Sequence, residues 1–260
     1  MPRLLVAGRG GSGKSTLVTL LARRLGQEGT VVVVDADESN LGLAAMLGIE
    51  PPGKTLLDSL GGKRAVGERL MAMLRGGGRV ELFPERVALD SLPPDCARWD
   101  GTLAFVQVGK IEHAMEGCAC PMGAVARAFL SRLAVGQEQW VLVDTEAGVE
   151  HFGRGVLEGV DAVLMVVDPS RDAVILAEKG ARLAREAGKQ FGVVLNKVEG
   201  ETEAALREKL GAKRIEIEGA LPYTPAVARA SMLGEPLEAG ALREQLDRLV
   251  CGIRGMVRHT

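Results

Sequence analysis

The sequence predicts an α/β fold in which a doubly wound, mostly parallel sheet is flanked by helices. Short apolar runs, such as residues 31–34 and 162–167, have the composition of strands that are buried on both faces of a parallel sheet. Segments with apolar residues at helical spacing alternate with these runs along the chain. We find no internal repeat and no linker, so we expect a single domain over residues 1–260.

The elements follow in order from these two patterns. Apolar runs predict strands at residues 3–7, 31–34, 79–83, 103–108, 140–144, 162–167, 191–195 and 215–220. Helical spacing predicts helices at residues 15–27, 55–74, 123–133, 172–187, 201–210 and 242–257. Gly61 and Gly62 interrupt the second of these helices. This alternation of strands and helices is typical of a doubly wound sheet.

Composition and charge narrow the class of protein. Apolar residues make up 47% of the 260 residues and charged residues 25%, which is ordinary for a soluble globular chain. The net charge of −2 gives no overall attraction to nucleic acid or to anionic lipid. No apolar stretch is as long as a membrane span, and no signal-peptide pattern precedes the first strand. We therefore expect a cytoplasmic protein with neither nucleic acid nor membrane as a partner.

The most specific motif follows the first predicted strand. Residues 8–15 read GRGGSGKS and match G-x-x-x-x-G-K-[ST], with a strand before them and a helix after them. In such a loop, backbone amides at a helix N-terminus surround phosphate oxygens. Lys14 is expected to reach the β- and γ-phosphates, and the Ser15 hydroxyl to bind Mg²⁺. The predicted nucleotide-binding residues here are Gly8, Gly10, Gly11, Ser12, Gly13, Lys14, Ser15 and Thr16.

The second position of this loop is basic, which narrows its class. With Arg9 there, the loop resembles that of the deviant Walker A family, which includes MinD, ParA and the nitrogenase iron protein. In that family a lysine at the second position reaches the nucleotide of the partner subunit in a dimer. The resemblance implies an ATP-hydrolysing homodimer in which Arg9 has a catalytic role. Arg9 keeps the charge of the signature lysine but departs from its identity.

Acidic residues end two of the predicted strands. Asp35 and Asp37 follow the strand at 31–34 and resemble the first switch of that family, which implies that Asp37 orients the attacking water near Mg²⁺. Asp144 ends the strand at 140–144 and resembles the Walker B carboxylate that holds Mg²⁺. We therefore predict Lys14, Asp37 and Arg9 as catalytic residues, and Ser15, Asp37 and Asp144 at the magnesium ion. As an alternative, Asp35 and Asp37 only cap the following turn.

Two later segments concern the base of the nucleotide. Asn196 and Lys197 end the strand at 191–195 and resemble the base-recognition residues of the superfamily, while Pro222 lies in a segment that resembles the one packing on the base in MinD relatives. Glu199 completes the string NKVE, which is close to the guanine signature NKxD of GTPases. Because Glu replaces the usual Asp, we favour ATP and keep GTP as the alternative.

Two of the four cysteines, Cys118 and Cys120, lie one residue apart. Two thiolates at this spacing converge on one soft metal ion, and a symmetric dimer would supply four of them. The alternative is a pair of inert thiols in a loop. Cys96 and Cys251 are isolated and are expected to be ordinary core or surface residues. A reducing compartment predicts thiols rather than structural disulfides.

The order of the motifs sharpens the resemblance. A phosphate loop, Asp-x-Asp, CxCP at 118–121 and Asp-x-x-Ala-Gly-x-Glu-His at 144–151 resemble the CooC-type ATPases, which mature nickel carbon monoxide dehydrogenase. This similarity covers nearly the whole chain. It implies a Mg²⁺-dependent ATPase that forms a homodimer and binds Ni²⁺, or Zn²⁺ in its place, at Cys118 and Cys120. The implied client is carbon monoxide dehydrogenase or a related nickel enzyme.

Three other functions compete with this one. The segment at 242–257 alternates apolar residues with arginines, as in the membrane-binding tail of MinD, so a MinD/ParA-type positioning ATPase is an alternative. We favour a helix packed on the sheet instead. A GTPase metallochaperone of the hydrogenase or urease type is a second alternative. The third, a reductase related to the nitrogenase iron protein, fits poorly, because its cluster needs well-separated cysteines.

Overall fold

The computed structural model describes residues 2–76, 81–111, 120–136, 139–149, 152 and 155–258. An eight-stranded sheet forms its centre, with the strand order β3-β4-β2-β5-β1-β6-β7-β8. The strands are β1 Arg3–Gly8, β2 Thr30–Ala36, β3 Ala97–Asp100, β4 Leu103–Gln107, β5 Gln139–Thr145, β6 Ala162–Val167, β7 Gln190–Asn196 and β8 Ile217–Leu221. All neighbouring pairs are parallel except β3 and β4. The predicted fold class is confirmed.

Helices connect the strands and cover both faces of the sheet. They are α1 Lys14–Leu25, α2 Leu43–Leu47, α3 Leu56–Ser59, α4 Gly62–Gly76, α5 Cys120–Arg132, α6 Arg171–Glu186, α7 Gly200–Ala212, α8 Pro225–Leu233 and α9 Arg243–Arg258. None of the helices in the described residues is long and apolar enough to cross a membrane.

The two faces of the sheet belong to two separate apolar clusters, because successive side chains of a strand point to opposite faces. In β1, Leu5 and Ala7 pack in one cluster, and Leu4 and Val6 pack in the other. All four side chains are fully buried. The phosphate loop therefore starts from a strand that is fixed on both sides.

The structure corrects the element prediction in a few places. Residues 81–83 are not a strand, although 79–83 was predicted as one, and residues 79 and 80 lie outside the described part. Sequence patterns also missed two short helices, α2 and α8, and the antiparallel strand β3. The predicted break in the helix at 55–74 is confirmed, since α3 ends at Ser59 and α4 begins at Gly62.

The last helix, α9, packs on the sheet. Its apolar side chains are buried in the same cluster as Leu4 and α1, and include Leu246, Leu249, Val250 and Ile253. Gly219 of β8 permits this approach, since an added Cβ there would lie 3.1 Å from Leu249 Cβ. The apolar face of α9 is thus part of the core.

Candidate functional site

The phosphate loop joins β1 to α1 and needs glycine at defined points. Gly13 has φ +100°, and a Cβ there would lie 2.4 Å from Asn196 Nδ2. Gly8 has φ +154°, and a Cβ there would lie 2.8 Å from the carbonyl oxygen of Val166. A side chain at either position would be strained by the positive φ and would collide with Asn196 Nδ2 or with the main chain of Val166, so the loop requires glycine there.

Two residues from the end of β7 hold the loop from outside. Asn196 Nδ2 donates to the carbonyl oxygen of Ser12 at 2.7 Å, and Lys197 Nζ donates to that of Gly11 at 2.8 Å. Lys197 has a positive φ of 59°, which is uncommon for a residue other than glycine. Both residues were predicted at the base. The structure shows them bound to the loop backbone and lining the cleft beside it.

The acidic residues lie at the carboxyl ends of β2 and β5, where Asp35 and Asp144 are paired in register. Ser15 Oγ donates to Asp144 Oδ2 at 2.6 Å. Asp144 is fully buried, and its Oδ1 has no hydrogen-bond partner among the described residues. Burial raises the pKa of Asp144 to about 7, and the nearby charge of Asp35 adds to the increase. A hydroxyl beside a buried, unsatisfied carboxylate fits a Mg²⁺ ligand set.

Asp37 lines the cleft on the same side as Ser15 and is 7% exposed. Its Oδ1 accepts hydrogen bonds from Ser39 N at 2.9 Å and from Ser39 Oγ at 2.7 Å. The carboxylate therefore does cap the following turn, as the alternative interpretation expected. It also lies beside the phosphate loop, so capping and a role at the nucleotide are compatible in this geometry.

Two residues of this region, Asn40 and Lys110, were missed by sequence reasoning. Asn40 Nδ2 donates to Ser15 Oγ at 2.8 Å and to Asp144 Oδ2 at 3.1 Å. Lys110 Nζ lies 2.6 Å from Asp35 Oδ2, and this ion pair is almost completely buried. Lys110 Nζ also donates to the main-chain oxygens of Asp37 and Asn40. The loop after β2 is thus held by the hydrogen bonds of Asn40 to Ser15 and Asp144 and by those that Lys110 donates to its main chain.

Arg9 is engaged within its own chain. Its Nε lies 2.9 Å from both carboxylate oxygens of Asp168, and its Nη2 lies 2.7 Å from Oδ2. Asp168, at the end of β6, also accepts from Ser170 Oγ at 2.8 Å. Burial favours a higher pKa for Asp168, but the hydrogen bonds from Arg9 and Ser170 hold it below its ordinary value. Asp168 was missed, although it ends an apolar strand just as Asp144 does.

The loop opens into a cleft of about 590 Å³. Predicted site residues that line it are Gly10, Gly11, Gly13, Lys14, Ser15, Thr16, Asp37, Asn196, Lys197 and Pro222. Away from the loop the lining is mostly apolar and includes Leu221, Tyr223, Val227 and Ala228. Among the residues described as lining it, Asp37 is the only acidic one. Glu199 lines a different cavity, near Arg207 and Arg248.

The motif at residues 144–151 begins at the end of β5 and contacts the phosphate loop. Gly148 has φ +95°, and its N–H donates to the carbonyl oxygen of Gly8 at 3.0 Å. A backbone hydrogen bond therefore joins this segment directly to the start of the loop. His151, the last residue of this motif, lies outside the described residues.

The cysteine pair is only partly described. Cys120 is the first residue of α5, has an exposed side chain and is disulfide-bonded, contrary to the expectation of reduced thiols. Cys118 lies outside the described residues. Cys96 is buried in the core and Cys251 is exposed, both without a disulfide. Within the described ranges, no three His, Cys, Asp or Glu side chains form a group able to hold a metal ion.

Known proteins are similar to this chain in sequence. The CobQ/CobB/MinD/ParA nucleotide binding domain matches residues 4–237. An ATP-binding protein of Methanocaldococcus jannaschii is 36% identical over 91% of this chain and 94% of its own length. The carbon monoxide dehydrogenase accessory protein CooC of Rhodospirillum rubrum is 32% identical over 89% of this chain and 88% of its own.

Solved structures agree on the fold. The septum site-determining protein MinD of Pyrococcus horikoshii OT3, complexed with Mg-ADP, superimposes with a TM-score of 0.67 at 19% identity, over 96% of this chain and 94% of MinD. A ParA family ATPase of Chlorobium tepidum gives a TM-score of 0.63 at 19% identity, over 97% and 98% of the two chains. Together with the fold that these structures share, the match over residues 4–237 shows that the chain belongs to the CobQ/CobB/MinD/ParA nucleotide-binding family.

Proposed function

We propose that this protein is a Mg²⁺-dependent ATP hydrolase that acts as a homodimer, binds nickel at Cys118 and Cys120, and supplies it to carbon monoxide dehydrogenase or a related nickel enzyme. The observation that carries the proposal is the conjunction of a complete phosphate loop with 32% identity to CooC over nearly the whole chain. The CxC pair in the same sequence gives the ATPase a candidate cargo.

Hydrolysis would rest mainly on positioning and on neutralising charge. The loop amides and Lys14 would hold the β- and γ-phosphates, while Ser15 and Asp144 would hold Mg²⁺, which would offset charge on the phosphate oxygens. Asp37 would orient the attacking water. Arg9 would stabilise negative charge on the nucleotide of the partner subunit once it leaves Asp168. In the structure Arg9 is paired with Asp168, so it would have to leave this ion pair to reach that nucleotide.

We expect the cleft to bind adenine in preference to guanine. Guanine recognition in GTPases uses a carboxylate that accepts from the base, and the apolar end of this cleft offers none among its described lining residues. Glu199, the residue that would supply one, lines another cavity. Competition of ATP and GTP against a fluorescent ADP analogue tests this preference, with ATP expected to compete more strongly. Stronger competition by GTP would favour the GTPase metallochaperone instead.

Equilibrium dialysis with Ni²⁺ tests the cargo. The purified, reduced protein should bind one nickel ion per dimer, since two chains together supply four thiolates. Cys118→Ala and Cys120→Ala should lose this binding. Cys251→Ala is the matched control, because Cys251 is exposed and is not part of a disulfide. This variant should bind nickel like the parent protein. Equal uptake by all variants would place the metal elsewhere.

A further inference from the structure

We propose that Asn40 competes with Mg²⁺, because its side-chain amide contacts the two oxygens that would hold the ion, and that an incoming cation displaces it. This inference rests on the proposed role of Ser15 and Asp144 as magnesium ligands. It adds a residue that no sequence motif indicated.

The contacts of the amide carry the inference. Asn40 Nδ2 lies 2.8 Å from Ser15 Oγ and 3.1 Å from Asp144 Oδ2, and these two oxygens are 2.6 Å apart. The electropositive NH₂ group therefore points at the same two oxygens that would ligate a cation. Mg²⁺ binds oxygen at about 2.0–2.1 Å, so an ion that contacts both oxygens from this side would lie against the amide hydrogens. Close contact and charge repulsion would therefore exclude the ion and the amide from binding there together.

The rest of Asn40 is held in place by the protein. Its Oδ1 accepts from Gly42 N at 2.9 Å, and its main-chain oxygen accepts from Lys110 Nζ. The side chain is thus aimed by the loop rather than left to solvent. The amide is also an incomplete substitute for a metal, because Asp144 Oδ1 stays without a partner among the described residues. A divalent cation would satisfy this carboxylate better, which gives the displacement its direction.

The opposite role for Asn40 would be that of a magnesium ligand. If the amide turned, Asn40 Oδ1 would face the magnesium position and serve as a ligand. The two roles predict effects of opposite sign when the side chain is removed. Loss of a competitor tightens magnesium binding, whereas loss of a ligand weakens it.

The test measures how strongly Mg²⁺ enhances ADP binding. The dissociation constant of ADP is determined by isothermal titration calorimetry in Mg²⁺ and in EDTA. The value in EDTA divided by the value in Mg²⁺ gives the enhancement, and this ratio is compared between variants. Asn40→Ala should raise this ratio about tenfold, as expected for removal of a hydrogen bond to a charged group. Leu41→Ala is the matched control, since Leu41 is the next residue and is 81% exposed, and its ratio should equal that of the parent protein.

Each outcome decides between the claims. A lowered ratio in Asn40→Ala would show that Asn40 is a ligand, and an unchanged ratio would show that the amide does not compete, so either result overturns the inference. Asp144→Asn should abolish the Mg²⁺ enhancement. If the parent protein itself shows no enhancement, the magnesium assignment fails and the inference with it. Thermal unfolding of each variant establishes that it is folded.

Discussion

At the scale of single residues, Asp144 is the group of the site whose pKa is raised by burial to about 7. Its carboxyl group is fully buried, so the folded protein keeps it protonated to a higher pH than the unfolded chain does. The unfolded chain deprotonates near the ordinary value of 3.8. Without metal, protonated Asp144 therefore contributes its full stability below the pKa that it has in the unfolded chain. This contribution is lost as the pH rises toward the pKa that it has in the folded protein.

Asp144→Asn should remove this loss of stability. In EDTA we expect the variant to gain on the parent protein as the pH rises from about 4 to 7, by on the order of 2–4 kcal/mol in free energy of unfolding. Urea unfolding followed by circular dichroism at several pH values measures the difference. A difference between the two proteins that does not change with pH would show that Asp144 does not titrate in this range.

Arg9 and Asp168 give a second prediction at this scale. If Asp168 holds Arg9 back from the nucleotide of a partner subunit, Asp168→Ala should strengthen ATP-dependent dimerisation by about two- to fivefold, since a partly exposed ion pair contributes at most ~1 kcal/mol. Analytical ultracentrifugation with ATP measures the dimer constant. Arg9→Ala should weaken the dimer. Weakening by both substitutions would mean that the intact pair is what the dimer requires.

At the scale of secondary-structure elements, α9 depends on one tightly packed contact. Leu249 is fully buried and faces Gly219 of β8. Leu249→Ala should cost about 3 kcal/mol in free energy of unfolding, because it leaves a cavity between helix and sheet. Arg248→Ala, on the exposed face of the same helix, should change stability by less than ~0.5 kcal/mol. Equal stability of the two variants in urea unfolding would show that α9 is not anchored through its apolar face.

Most helices and strands could be predicted because the sequence pattern that indicates each one lies within the element itself. The strands with the longest apolar runs, β2 and β6, were found since burial on both faces excludes polar residues. The helices α2 and α8 were missed, having five and nine residues and too little periodicity to reveal a face. Strand β3 lies at the sheet edge and its residues are only partly buried, so no apolar run marks it.

The residues of the candidate site were likewise predicted only in part. Its phosphate loop and strand-end carboxylates follow from motifs, so the sequence reveals them. Asn40 meets Asp144 across 104 positions, and Arg9 meets Asp168 across 159. Such contacts depend on which strands become neighbours, and that order is not written in any local pattern. The roles of Asn196 and Lys197 in holding the loop backbone were hidden for the same reason.

At the scale of the whole molecule, the placement of α9 bears on the competing function as a positioning ATPase. A membrane-binding tail must expose its apolar face, whereas Leu246, Leu249, Val250 and Ile253 are buried here. We expect no ATP-dependent co-sedimentation with liposomes rich in anionic lipid. Clear pelleting with ATP would mean that α9 leaves the sheet, and it would favour the MinD-type function over nickel delivery.

The ion pair of Lys110 has a mechanical consequence for the molecule. Lys110 ties the loop after β2 to the stretch of chain that runs directly into residues 112–119, and Ile111 N adds a hydrogen bond to Glu38 O at 3.2 Å. On the far side of residues 112–119, Met122 of α5 packs close to Gly109. The loop after β2 therefore contacts Ser15 through Asn40 and is hydrogen-bonded to Lys110 and Ile111, the last described residues before position 112. A displacement of this loop by a bound nucleotide would have to carry these two residues along or break their hydrogen bonds.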